Sequence, residues 1–376
     1  MASEPQIVDS INSFSIKLFK SLADKDNIIV SPLSVAMVLY SLWEGAEGNT
    51  KSQMEETLNL GLIKSGLKQY IKNLIDSFND SNASIELKLA NAIWLNATNN
   101  SSPSQAFLTD AKSYYKNEIN EAYFDSSTVK KINNWANTQT NGKIQDILSS
   151  FSADEVMVLI NAIYFKGDWT NEFDPDDTDD RTFYFANGTE EQRPFMEHME
   201  EYAYFENDQV QVIKMPYGDE DYPEAFMYVI LPSENSNLDV LCKNLNYNSL
   251  NEWLSELSSH RVHLKLPKFT TKSDINLKDI LSQWMPDAFD SDNADFSKAN
   301  INACIGRILQ KAFIEVNEKG SEAAAVTAVT MVSRSIPSEI PVSKFAVMNV
   351  NRPFIYMIQH VSGVIMFTGQ VTDPQS

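Results

Sequence analysis

Histidine is the side chain best suited to proton transfer and metal binding at neutral pH, and this sequence of 376 residues contains only four. His260 and His263 form one close pair at the start of a strand pattern, but no cysteine or carboxylate lies at the spacing that zinc sites use. The motifs G-x-S-x-G, H-E-x-x-H, G-x-x-x-x-G-K-S/T and G-x-G-x-x-G are absent from the sequence. We therefore predict surface or hydrogen-bonded histidines, no catalytic residue, no metal, no other cofactor and no enzymatic activity.

A long segment of small residues, 318–341, carries the strongest functional signal. It lies between two strand patterns, and a connection of about twenty residues in a compact domain is usually functional or disordered. A disordered linker would be rich in charge and proline, whereas Glu322 is the only charge between Gly320 and Ser333. The small, apolar and β-branched residues predict a strand that has not yet joined a sheet.

Alternation with a period of two divides this segment into two faces. One face carries no charge and could be buried; it consists of Ser321, Ala323, Ala325, Thr327, Val329 and Met331. The other face consists of Glu322, Ala324, Val326, Ala328 and Thr330. Gly320 precedes both faces and could act as a hinge. The alternative, a helical turn at the three alanines, is disfavoured by the β-branched residues that follow them.

These residues must be positioned by a chain with helices early and strands late. Apolar residues at helical spacing predict helices over 9–22, 67–79 and 129–148, and Ser31 followed by Pro32 predicts the start of another. Strand patterns cover the segments 85–95, 156–165, 212–215, 226–231, 262–266, 309–316, 354–358 and 364–369. This order predicts an α+β fold with extended sheets.

The composition predicts one soluble globular domain over residues 1–376. The chain is 43% hydrophobic and 22% charged, without a linker-like stretch or an internal repeat. The formal net charge of −21 argues against nucleic acid as a partner. No apolar segment approaches the ~18 residues of a membrane span, so we expect no membrane partner.

The compartment is predicted from the N-terminus and the cysteines. Residues 1–5 lack the features of a signal peptide, and Cys242 and Cys304 are too few for a disulfide scaffold. Cytoplasmic residence is the resulting expectation. Secretion is the alternative if a signal sequence was removed or if export is unconventional, and several Asn-x-Ser/Thr sequons are consistent with it.

Several segments resemble blocks of the serpin family, the serine protease inhibitors. The segment 318–324 closely resembles the hinge of the reactive-centre loop in inhibitory serpins. The other similar blocks are residues 27–34, 49–50 with 53–54, 161–169, 287–289, 294–297 and 351–355. They follow the order of the family across nearly the whole chain, and together they are highly specific.

The resemblance implies a fold of three β-sheets with eight or nine helices and an exposed reactive-centre loop at about 318–341. It implies a monomer whose partner is a serine protease. The protease cleaves the loop and becomes a covalent acyl-enzyme, and the hinge then inserts as a strand into the main sheet. The implied hinge residues are Glu318, Lys319, Gly320, Ser321, Glu322, Ala323, Ala324, Ala325 and Thr327. The residues implied beneath and at the top of that sheet, in the shutter and breach, are Ser31, Ser34, Asn161, Trp169 and Gln310.

The resemblance also implies where the loop is cut. Counting seventeen residues from Glu318, the usual length on the hinge side, ends at Arg334, so the predicted reactive bond joins Arg334 to Ser335. An arginine there suits the carboxylate in the pocket of a trypsin-like protease. Counting backwards from the C-terminal signature places the bond near 342–344 instead, so Lys344 stays open. Met331, for a chymotrypsin- or elastase-like enzyme, also stays open.

Two positions depart from common family features. Gln310 occupies a position that is commonly histidine, so we expect it to hydrogen-bond Ser31 or Asn161 without titrating. The helix that is basic in heparin-activated members resembles residues 67–80, where two lysines are offset by two aspartates. We therefore expect no heparin activation.

The competing interpretation is a non-inhibitory serpin that acts as a chaperone, carrier or storage protein. Hinges of that kind tend to carry bulky, charged or proline residues. Apart from Glu322, which inhibitory hinges also carry, residues 320–325 contain none of these. The sequence therefore favours an inhibitor.

Overall fold

The computed structural model describes residues 3–23, 26–61, 63–78, 85–99, 101–321 and 345–375. Within them the chain forms nine α-helices: α1 (Glu4–Lys20), α2 (Pro32–Gly45), α3 (Gly48–Thr57), α4 (Leu67–Ser77), α5 (Gln105–Tyr115), α6 (Ser126–Gln139), α7 (Leu238–Asn244), α8 (Tyr247–Ser255) and α9 (Lys278–Trp284). None of the helices in these residues is long and apolar enough to cross a lipid bilayer.

The strands follow the predicted late bias. They are β1 (Ile28–Val30), β2 (Ile85–Asn96), β3 (Asn117–Ala122), β4 (Met157–Asp168), β5 (Asp179–Tyr184), β6 (Glu190–Glu206), β7 (Val210–Gly218), β8 (Pro223–Pro232), β9 (Ser258–Pro267), β10 (Phe269–Asn276), β11 (Arg307–Asn317), β12 (Gly320–Ser321), β13 (Phe345–Asn349), β14 (Phe354–His360) and β15 (Ile365–Val371). The predicted α+β class is confirmed.

Six strands form the main sheet, in the order β10-β11-β12-β4-β2-β3. β4 and β11 run parallel and pair directly from Arg307 opposite Val158 to Phe313 opposite Tyr164. β12 lies between these two strands only beyond that paired stretch, and it is antiparallel to both. We call the directly paired stretch of β4 and β11 the seam.

The other nine strands form one hydrogen-bonded array with two parts. β5, β6, β9 and β13 make a four-stranded part, and β7, β8, β14, β15 and β1 make a five-stranded part. The two parts are continuous because the C-terminal end of β6 also pairs with β7. With the main sheet, these parts account for the three predicted sheets.

Helix α2 lies in the core between the main sheet and the five-stranded part, where it contacts β2, β4 and β15. Ser31 caps it, with its Oγ 3.4 Å from the backbone nitrogen of Ser34, and Pro32 follows, as predicted. The prediction of a helix through residue 148 is wrong. α6 ends at Gln139 because Asn141 and Gly142 adopt left-handed backbone angles, with φ of 52° and 85°.

Candidate functional site

The predicted site residues fall into two groups. The first four hinge residues and all five shutter and breach residues belong to the part of the chain that the structure describes. The remaining predicted residues lie outside the described residues: Glu322, Ala323, Ala324, Ala325, Thr327, Arg334 and Ser335, together with the alternatives Met331 and Lys344.

The start of the hinge is seated in the main sheet as strand β12. Gly320 pairs with Asp168 of β4 and with Asn317 of β11, and Ser321 pairs with their neighbours Gly167 and Val316. Both residues of β12 are buried. The segment predicted as the hinge therefore begins between the two strands that form the seam.

The backbone of β4 approaches position 320 so closely that only glycine fits there. Its φ is 156°, and a Cβ placed on it would lie 2.1 Å from the carbonyl oxygen of Gly167 and 2.7 Å from Cα of Asp168. No side chain fits at these distances. The sequence offered conformational freedom as the reason for a glycine here, and the structure adds a steric reason.

Ser321 and Trp169 meet at Tyr217, which the sequence did not single out. The hydroxyl of Ser321 lies 2.5 Å from the Tyr217 hydroxyl, and the Tyr217 ring stacks on Trp169 with centroids 4.4 Å apart. Burial raises the pKa of Tyr217 well above its ordinary value, so the phenol stays neutral. Trp169 also donates from its backbone N–H to Lys319 O at 2.7 Å and from its indole to Asn317 O at 2.9 Å. The indole and phenol together hold the turn that leads into β12.

Glu318 ties the start of the hinge to two other segments. Its carboxylate forms an ion pair with Lys268 at 3.0 Å and accepts a hydrogen bond from the Thr178 hydroxyl at 3.0 Å. Its backbone oxygen accepts from the N–H of Phe173 at 2.9 Å. Burial alone would raise the pKa of Glu318, but hydrogen bonds to the carboxylate and the charge of Lys268 outweigh it and lower that pKa.

The shutter residues form a buried polar network beneath the seam. The side-chain amide of Gln310 makes two hydrogen bonds to Ser31: its oxygen accepts from the backbone N–H at 2.8 Å, and its nitrogen donates to the backbone C=O at 3.0 Å. Both residues are fully buried. Of the two predicted partners, Gln310 therefore bonds Ser31.

A second part of the network is centred on Asn91, which the sequence did not single out. Its amide oxygen accepts hydrogen bonds from the Ser34 hydroxyl at 2.6 Å and from the Asn161 amide at 2.8 Å. Asn91, Asn161 and Gln310 are direct neighbours across β2, β4 and β11. The amide oxygen of Asn161 is buried and has no hydrogen-bond partner among the described residues.

His263 and the two lysines of α4 are paired with acidic side chains of the same chain. His263 on β9 contacts the carboxylate of Glu197 on the adjacent strand β6. No group of His, Cys, Asp and Glu in the described residues is arranged to hold a metal ion. On α4, Lys72 forms an ion pair with Asp76, and Lys68 reaches Asp110 at 2.5 Å.

Comparisons with known proteins identify the family. The model of the serpin (serine protease inhibitor) family matches residues 9–374. An uncharacterised serpin-like protein of Methanosarcina acetivorans is 30% identical over 99% of this chain and 87% of its own, and human serpin B8 is 32% identical over 98% and 99%. The native-state structure of tengpin, a thermophilic serpin, superposes with a TM-score of 0.88 at 32% identity and covers 99% of this chain and 95% of tengpin.

This chain belongs to the serpin family. Serpins generally bind and inhibit serine proteases and are mostly inhibitors, not catalysts. The resemblance stated from the sequence is therefore confirmed at the level of the family and of its fold.

Replacing Gln310 with leucine should destabilise the protein markedly. The buried backbone N–H of Ser31 would lose its acceptor, whereas the C=O would keep the hydrogen bond that it accepts from the Val35 N–H at 3.3 Å. A buried donor without a partner costs about 1–3 kcal/mol of the free energy of unfolding. Urea unfolding at pH 7 measures this loss. Gln192→Leu, at an exposed strand position, is the matched control, and equal stability of the two variants would contradict the assigned role of Gln310.

Glu318→Gln should remove a pH-dependent part of the stability. Because the folded pKa of Glu318 is lowered, its contribution is present above the unfolded-state pKa of about 4.3 and is lost as the pH falls through the folded value. The thermal midpoint of the variant should therefore be lower than that of the original protein at pH 7, and the difference should shrink as the pH falls below the unfolded-state pKa. A difference that does not shrink with falling pH, or an equal loss in the exposed control Glu121→Gln, would argue against this ion pair.

Proposed function

We propose that this protein is a single-use inhibitor of a trypsin-like serine protease, which it traps by inserting its cleaved loop into the main sheet. The observation that carries the proposal is the position of β12. Its two residues are already paired on both sides, between β4 and β11, at the end of the seam. A chain that continued in this direction would enter the sheet as a central strand.

The register of β12 indicates what an inserted strand would meet. Each further residue would move one position back along β4 and one back along β11. Thr327, six residues after Ser321, would face Asn161 on one side and Gln310 on the other. The predicted strand would therefore pass directly over the buried polar network.

The faces of the predicted strand agree with this register. Ser321 points into the core, where it meets Tyr217. Thr327 belongs to the same alternating face, so its side chain would enter the core beside the unpartnered amide oxygen of Asn161. A threonine hydroxyl can donate a hydrogen bond to that oxygen. This alternating face is the one that the sequence leaves uncharged.

The balance of ladders favours insertion. At present β4 and β11 share one parallel ladder. An inserted strand would replace it with two antiparallel ladders, and antiparallel pairing is slightly more stable per residue. Burial of small apolar side chains adds about 25 cal/mol per Å² of apolar surface. The loop would lose conformational entropy, which opposes both gains.

The proposed reaction begins as ordinary proteolysis. The serine hydroxyl of the protease attacks the carbonyl carbon of Arg334, and the bond to the nitrogen of Ser335 breaks as that amine takes up a proton. The Arg334 carbonyl is then an ester of the protease serine. Insertion of the hinge draws this ester away from its original position before water completes hydrolysis. The lysines of α4 are engaged by acidic side chains, so we expect this inhibition to need no heparin.

Thr327→Arg should convert the protein from an inhibitor into a substrate. A guanidinium forced between Asn161 and Gln310 would be buried without a counter-charge, which costs several kcal/mol and slows insertion. The number of inhibitor molecules consumed per protease molecule should rise at least about tenfold. Thr327→Val, which keeps the shape and removes only the hydroxyl, is the matched control and should still inhibit. Unchanged stoichiometry in Thr327→Arg would refute insertion in this register.

Incubation with trypsin should give a complex that survives denaturing electrophoresis. Mass spectrometry of the released peptide should find that it begins at Ser335, and Arg334→Ala should abolish the complex with trypsin because the pocket carboxylate loses its partner. A peptide that begins directly after Met331 or Lys344 would show that the reactive bond follows that residue instead. Cleavage without any stable complex would support a non-inhibitory serpin instead.

A further inference from the structure

We propose that the ion pair between Glu155 and Arg307 is a latch that controls how fast the seam opens, during loop insertion, at the end where Arg307 faces Val158. We call this contact the seam pair. The inference rests on the proposed function, because it concerns the strand separation that insertion requires. It assigns these two residues a positioning role in trapping.

The seam pair joins the two strands at the end far from β12. Glu155 lies two residues before β4, and Arg307 is the first residue of β11, where it faces Val158. Nη2 of Arg307 donates to Oε2 of Glu155 at 2.6 Å, and Nε lies against Oε1. The side chains are only 19% and 6% exposed. The carboxylate therefore bridges the seam in a largely water-free position.

The backbone around the pair holds both side chains in place. The N–H of Ser152 donates to Oε2 of Glu155 at 2.8 Å, and Arg307 also donates to the carbonyl of Ser150 at 2.6 Å. Gly306 approaches so closely that a Cβ on it would lie 3.0 Å from the oxygen of Met157. Neither side chain of the pair can therefore follow a large backbone displacement without losing contacts.

Insertion separates the strands that the pair connects. Neighbouring strands lie about 4.8 Å apart, so a strand between β4 and β11 would move them to about 9.6 Å. In the register of β12, residue 330 would lie between Val158 and Arg307. The seam pair therefore breaks when the inserted strand reaches the far end, and a buried charge that loses its partner is costly.

A second ion pair on β11, with a more exposed carboxylate, offers a control that lies off the seam. Lys311 of β11 binds Asp274 of β10 at 2.7 Å. β10 and β11 are neighbours on the side away from β4, so this pair does not cross the seam. Loss of the Lys311–Asp274 pair should leave the opening of the seam unaffected.

The test compares the original protein with Glu155→Gln, Asp274→Asn and the double variant Glu155→Gln with Arg307→Met. The rate is measured at which a labelled synthetic peptide with the sequence of residues 320–333 becomes stably bound. Thermal midpoints are measured for the intact proteins and for the same proteins after cleavage in the loop. The double variant removes both charges, so it decides the outcome if an unpaired buried arginine prevents Glu155→Gln from folding.

We expect Glu155→Gln to bind the peptide about five to ten times faster than the original protein, and Asp274→Asn to bind it at the original rate. The midpoint of intact Glu155→Gln should fall by about 2–6 °C, and the midpoint of the cleaved form should not change, because the pair is already separated there. The double variant should also bind the peptide faster than the original protein.

Two failures are distinguishable. If the original protein neither binds the peptide nor gains heat stability on cleavage, the proposed function is wrong. If the original protein does both, but Glu155→Gln or the double variant binds the peptide no faster than Asp274→Asn, the latch is refuted. Equal losses of midpoint in the intact and cleaved forms of Glu155→Gln would also refute it, since they indicate a structural role only.

Discussion

The parallel pairing of β4 with β11 is the interaction on which the other features of this serpin depend. It must hold the main sheet closed from Arg307 to Phe313, although the chain entering at Gly320 is already seated at its end. The core beneath is arranged around the same line. Helix α2 presents Ser31 and Ser34 to the strands, and their partners lie on β11 and β2.

Polar groups at the centre of this core give the seam its particular character. A purely apolar contact could slide or repack, whereas the amide of Gln310 and the two buried asparagines fix the strands in one register through directional bonds. At the end of the seam next to β12, the contacts of Trp169 and Tyr217 have a comparable effect. Specific contacts therefore hold the main sheet next to β12 and at the centre of the seam, and the proposed seam pair adds a third set at the end far from β12.

The sequence predicted what is local and missed what joins distant segments. Ser31 and Pro32 marked the start of α2, and apolar runs marked β2 and β4, because capping and periodicity are properties of neighbouring residues. Tyr217 was missed because its partner Ser321 is 104 positions away. Asn91 did leave a signal, a polar residue within an apolar strand, but its partners Ser34 and Asn161 come from other elements. The end of α6 was misplaced because Ile144 and Leu148 are buried with the helix although they lie beyond it.

The seated strand β12 has a consequence for what stability means in this molecule. If the loop-inserted form has the lower free energy, the described form persists because a barrier separates the two. The useful lifetime of the described form is then set by the rate constant for crossing that barrier. That rate would depend on how often thermal motion separates β4 from β11 next to Ser321. Storage temperature would then determine how long a preparation stays active, and activity could decline while the protein remains folded.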